Sequence, residues 1–219
     1  VQAWIISAIG ALLALTAANG IRPARAEPVP DFPMFVDGKP VFRHIESGNP
    51  DILRSEADLS LVDEAALRAY AAQRKDVRVS DIRRALSDAT YSTYSGFHGT
   101  QIEYAGADGS VHLWYPGNST ILRGQWKPRQ AFVEYFVNGK LLRRFENSQV
   151  CFRYGAGTYN PATGHTGDGW ECQPFQAYRK HIAETKRGDF LRMKTRFEVP
   201  FVLSKEKFSL AALRARIRS

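Results

Sequence analysis

From Thr90 onward, hydrophobic and polar residues alternate with a period of two, which predicts strands with two distinct faces. Thr100–Tyr104 and Ser110–Tyr115 flank Gly106-Ala107-Asp108-Gly109, a sequence suited to a hairpin turn. Thr120–Trp126 follows. Ala131–Val137 and Lys140–Phe145 then flank Asn138-Gly139, the strongest hairpin signal in the chain, because both residues accept positive φ. Gln149–Tyr154 and Gly169–Gln173 predict two more strands joined by the Gly-rich loop Gly155–Asp168. Phe190–Val202 predicts one or two further strands, interrupted by Pro200. Short strands at roughly ten-residue spacing predict a mainly β fold, a small antiparallel meander closed into a barrel or sandwich.

The chain before Thr90 has a different period. Ser60 is positioned to cap a helix from Leu61 to Arg74, with Asp63 and Glu64 in the first turn, where the helix dipole favours them. Ser80 is positioned to cap a second helix from Asp81 to Ala89, with Ile82, Ala85 and Leu86 on one side. Residues 27–59 hold Pro28, Pro30, Pro33, Pro40 and Pro50 with little periodicity, which predicts an extended leader. At the other end, Lys205–Ile217 predicts a basic helix capped by Ser204. The expected organisation is therefore a leader over 27–59, short helices over 60–89, a β-rich domain over 90–203 and a basic C-terminal helix over 204–219.

The order of short motifs supports this division. Leu86-Ser87-Asp88-Ala89-Thr90 leads into Ser95-Gly96-Phe97-His98-Gly99-Thr100 and the Asp108-Gly109 hairpin. Gly124-Gln125-Trp126, Val150-Cys151-Phe152-Arg153-Tyr154 and Trp170-Glu171-Cys172 follow. Over residues 80–173 this order resembles a family of exported proteobacterial proteins known only as a domain of unknown function (family 995). The resemblance implies an exported β-rich domain and brings no catalytic residues with it.

The N-terminal residues point to export as well. Ala3–Ala18 is uncharged and apolar or small, sixteen residues against the roughly 20 that cross a bilayer. Ala24-Arg25-Ala26 matches the small-x-small pattern of signal-peptide cleavage, so residues 1–26 are expected to be removed near Ala26. The expected location is periplasmic or secreted, with an uncleaved membrane anchor as the alternative. In an exported protein, the pair Cys151 and Cys172 is most simply one disulfide, since a metal site would need further ligands at suitable spacing.

Charge is distributed unevenly. Residues 27–173 carry 16 Lys and Arg against 18 Asp and Glu, whereas residues 174–219 carry 12 against 4. The high isoelectric point therefore belongs to the C-terminal quarter, whose natural partners outside the cytoplasm are an anionic membrane surface or an acidic polysaccharide rather than nucleic acid. In the terminal helix, Leu210, Leu213 and Ile217 fall on one stripe with Arg214, Arg216 and Arg218 around it. That stripe can lie on a membrane or dock on the β body.

Candidate chemistry is sparse. Val111, Leu113 and Tyr115 share one strand face, which leaves Trp114 on the other as the expected exposed aromatic, with Tyr115 beside it in a binding surface. Gly124 shares a face with Leu122 and Trp126 and removes bulk beside whatever packs there. Glu103 and Glu134 alternate with apolar neighbours and are expected to face solvent. His165 and Asp168, in a glycine-rich stretch, are the candidates for proton transfer. The five histidines form no metal-ligand pattern, and neither G-x-S-x-G nor a P-loop occurs, so no metal or cofactor is expected. The expected function is a non-catalytic, exported, β-rich binding module at the cell envelope. The alternative is a periplasmic hydrolase with its site around the 155–169 loop.

Overall fold

The computed structural model describes residues 34–96, 98–160 and 165–218. The expected signal peptide over 1–26 and the first residues of the leader lie outside the described residues. The fold is mainly β, with a curled seven-stranded antiparallel half-barrel and a C-terminal helix.

In chain order the elements begin with β1 (Phe35–Val36), β2 (Lys39–Pro40), β3 (Phe42–Ile45), β4 (Ile52–Ala57), α1 (Glu64–Gln73) and α2 (Val79–Leu86). Then come β5 (Ala89–Ser95), β6 (Gly99–Ala105), β7 (Ser110–Trp114), β8 (Leu122–Arg129), β9 (Phe132–Val137) and β10 (Lys140–Glu146). The chain continues through β11 (Gln149–Tyr154), β12 (Tyr159–Asn160), β13 (His165–Thr166), β14 (Glu171–Pro174), α3 (Phe175–Tyr178), β15 (Ile182–Arg187) and α4 (Leu210–Arg218). The described residues form two compact units, one from 77–130 with 147–218 and one from 34–76 with 131–146.

The larger unit is the expected meander. Its sheet runs in the order β14-β11-β8-β7-β6-β5-β15, with every neighbouring pair antiparallel. At the β6–β7 turn Asp108 accepts hydrogen bonds from the Ser110 amide and hydroxyl, and Gly109 takes φ 82°. Gly124 lies where a Cβ would stand 2.5 Å from the Arg153 carbonyl and 2.7 Å from the Tyr154 ring, so only glycine lets β8 and β11 approach. Cys151 and Cys172 face each other across β11 and β14 and are bonded, as their pairing in the sequence predicts.

Both faces of this sheet are covered. On one side Ile82 and Leu86 of α2 and Phe175 and Tyr178 of α3 pack with Tyr91, Val111, Leu113, Trp126 and Phe152. On the other, Ile102, Tyr104, Trp114 and Ile121 pack with Leu191, Met193, Leu203, Leu210 and Leu213 from the C-terminal segment. The alternation along β7 is therefore real, but neither face meets water.

The smaller unit was not legible as a unit. Its sheet runs β10-β9-β4-β3, and β4 pairs with β9 in parallel. Residues 42–57 of the expected leader are thus sheet strands, and the Asn138-Gly139 hairpin, at φ 50° and 72°, belongs here instead of to the 90–203 domain. Asp63 rather than Ser60 caps α1, accepting from the amides of Ala65 and Ala66 at 2.7 and 3.0 Å. Leu67 of α1 packs with Ala57 and Val137.

Other boundaries differ for local reasons. Asp81 accepts from the Arg78 amide, so α2 starts at Val79 instead of after Ser80. Phe190–Val202 forms no strand beyond a bridge between Thr120 and Glu198, because its apolar side chains fold down onto the sheet. The α4 helix starts at Leu210, where Ser209 accepts from the Ala212 amide, rather than at Lys205.

Candidate functional site

The C-terminal segment of the larger unit is pinned at several points. Thr90 donates its hydroxyl to the Gly188 carbonyl at 2.7 Å and accepts from the Phe190 amide at 2.9 Å. One turn later Asp189 accepts from the amides of Met193 and Lys194 at 2.7 and 2.8 Å. This closes a tight turn that holds Arg192 at φ 57°, a left-handed conformation unusual for a non-glycine residue. Leu191 and Met193 are buried on either side of it. From α4, Arg214 reaches back to donate to the Phe190 carbonyl at 2.5 Å, with its guanidinium 4.4 Å above the Phe190 ring.

These contacts enclose a cavity of about 200 Å³ lined by Phe190, Leu191, Arg192, Arg196, Arg214 and Ile217. Three arginines thus line one small space, and among the described residues no carboxylate lines it. The Arg196 Nε is buried and donates to nothing among the described residues, while the Arg196 carbonyl accepts from Arg123 at 3.2 Å. A buried N–H without an acceptor is unfavourable by about 1–3 kcal/mol. Clustered cations along an open pocket favour an incoming anion.

Among the residues singled out from the sequence, Arg214 lines this cavity. Arg216 is exposed, with its guanidinium 3.9 Å over the Phe201 ring, and the Arg218 side chain lies outside the described residues. Leu210 and Leu213 are buried and Ile217 packs against them, so the helix stripe docks on the β body rather than facing outward. Arg192 and Arg196 were missed individually. Their only trace in the sequence is the basic density of residues 174–219.

Trp114 is the clearest correction. It is fully buried, stacked edge-on against Phe201 at 5.1 Å, because the C-terminal segment covers the face that alternation assigns to solvent. Tyr115 is partly buried against the opposite core, and burial pushes its hydroxyl pKa up. Trp170 is half-buried, and its ring has Lys127 at 4.2 Å and Arg153 at 4.9 Å. In the long loop His165 pairs through its backbone with Asn160, and its side chain lies outside the described residues. Asp168 is exposed and accepts from the Thr166 hydroxyl at 3.1 Å.

The two strand carboxylates do not face solvent either. Glu134 is buried between strands, directly opposite Arg54 on β4 and Arg144 on β10, at 2.7 and 3.2 Å. Glu103 lies in the first core of the larger unit with Tyr91 and Tyr178. Burial raises its pKa, and the two phenolic hydrogen bonds partly offset that rise. Each position alternates as a half-buried strand does, but packing on both sheet faces makes the side of Glu103 an interior one, and Glu134 is buried beside its two arginines; a buried carboxylate persists only with partners. Across the sheet, His112 is buried with Nδ1 unbonded, and burial holds its pKa down. Beside it Tyr104 donates to Asp88 at 3.0 Å, and its pKa is pushed up to about 12 by burial and by that carboxylate.

Among the described residues no cluster of three or more His, Cys, Asp or Glu is placed to hold a metal ion, and no helix is long and apolar enough to cross a membrane. No protein-family model matches the chain, nor does any curated protein or solved structure.

Proposed function

We propose that this chain is a non-catalytic β-rich binding module that is exported and acts at the cell envelope, where its larger unit holds an anionic group of a lipid or an acidic polysaccharide. The observation that carries this reading is the cavity of about 200 Å³ lined by Arg192, Arg196 and Arg214 and, among the described residues, by no carboxylate. Basic residues close to an anionic surface contribute about 1 kcal/mol each, within a Debye length of roughly 8 Å at physiological salt. The surplus charge of residues 174–219 supports the reading, and the uncharged run Ala3–Ala18 with Ala24-Arg25-Ala26 supports export.

The test is co-sedimentation of the protein beginning at Glu27 with anionic and neutral vesicles, and pull-down on an acidic polysaccharide, at low and high salt. Binding to at least one anionic partner, weakened by salt and by Arg192→Asn with Arg214→Gln, is the expected result. Retention independent of salt and of these substitutions would overturn the proposal. Deleting α4 is not a usable variant, since Leu210 and Leu213 are core residues.

A further inference from the structure

We infer that the anion taken by the Arg192–Arg196–Arg214 cavity is a phosphomonoester, a step that rests on the anion-binding reading above. The cavity is lined by three arginines, a residue whose guanidinium is a planar fork of donors that matches phosphate oxygens in pairs. Arg214 has one donor engaged on the Phe190 carbonyl. A phosphomonoester brings three terminal oxygens and a charge of about −1.5 to −2 at pH 7. A carboxylate brings two oxygens and one charge. A phosphodiester also carries one charge, and two of its oxygens are bonded to carbon. Three cations with no carboxylate in the lining are best offset by the ligand with the most charge and the most free acceptors.

The rest of the lining gives the ligand an orientation. Phe190, Leu191 and Ile217 form the apolar part of the wall, suited to the carbon substituent of the ester. The nearest acid along the chain, Asp189, is engaged by two backbone amides of its own turn and is not among the lining residues. The backbone of Arg192 is held at φ 57° by that turn.

The experiment compares vesicles of phosphatidylcholine doped with phosphatidic acid, a phosphomonoester, against phosphatidylglycerol, a phosphodiester, at matched surface charge and pH 7.5. The expected result is at least ten-fold tighter binding to phosphatidic acid. The preference should shrink at pH 5, below the second phosphate pKa near 6. Asp189, Asp108, Lys194 and Arg123 carry charge around His112, whose own pKa burial holds down, and these groups act on both lipids alike. Arg196→Lys, which keeps the charge and loses the planar fork, should weaken binding to both lipids and bring the ratio of their affinities to about one. Arg192→Asn, which keeps a residue tolerant of positive φ, should likewise collapse that ratio if Arg196→Lys does not fold.

Competition by millimolar inorganic phosphate at pH 7.5 would place the source as a soluble phosphate. Its failure alongside a retained vesicle preference would place the source in a lipid headgroup. Equal binding to the two lipids overturns the phosphomonoester assignment and leaves the anion reading standing. Binding to neither lipid nor polysaccharide removes both.

Discussion

The hydroxyl of Tyr178 donates to Oε2 of Glu103 across 2.8 Å, inside the core between the half-barrel and α3. Tyr91 donates to the same oxygen at 2.5 Å. Burial lifts the carboxyl pKa, and these hydrogen bonds pull it back only in part. A carboxyl group whose pKa is higher folded than unfolded contributes stability that is fully present below the unfolded value. That contribution is lost as pH rises through the folded value. Unfolding by denaturant across that interval should therefore show Glu103 opposing stability as pH increases, and Glu103→Gln should flatten the slope. An identical slope in the variant would show that the Glu103 carboxyl has the same pKa folded and unfolded.

The Cys151–Cys172 bond closes a loop of 21 residues between adjacent strands. Loop-closure entropy assigns such a crosslink roughly 3 kcal/mol. For a protein of this size that corresponds to a fall in Tm of about 6–12 °C. The double variant Cys151→Ala with Cys172→Ala should show it in a thermal melt, as should the native protein under reductant. A change of Tm within about 2 °C would mean that the sheet register alone holds β11 against β14.

Trp114 is 0% exposed and lies among Ile102, Leu203 and Phe201. Trp114→Ala should cost about 3–5 kcal/mol, with Trp114→Phe costing less. Vesicle binding per folded molecule should stay unchanged, since Trp114 lies outside the arginine cavity. Loss of binding at unchanged stability would return Trp114 to the role of a surface anchor.

What was legible in the sequence depended on how local the cause was. Asp108-Gly109 and Asn138-Gly139 needed only their own backbone preferences to make turns, and both do. The meander β6–β8 followed from alternation and short connections, and the disulfide from an even cysteine pair in a chain read as exported. By contrast β4 runs beside β9, a partner about 80 residues away, and no local pattern announces a parallel neighbour at that distance. Strand β15, reading Ile182-Ala-Glu-Thr-Lys-Arg187, is an edge strand with little apolar alternation. The cavity was the least legible feature. Arg192 and Arg196 lie in a stretch read as strand, and they share a space with Arg214 only because Leu191 and Met193 anchor that stretch to the sheet.

The chain visits the smaller unit twice, contributing residues 34–76 and then 131–146 between β8 and β11 of the larger one. During synthesis β4 must therefore wait, unpaired on one side, until β9 has left the ribosome. The half-barrel likewise stands at four strands of its meander until β11 follows the excursion. Neither unit can be released by a single cut in the gene. A nick in the loop 155–168 would leave the whole of the smaller unit on one fragment, with the disulfide still joining the two fragments across the break.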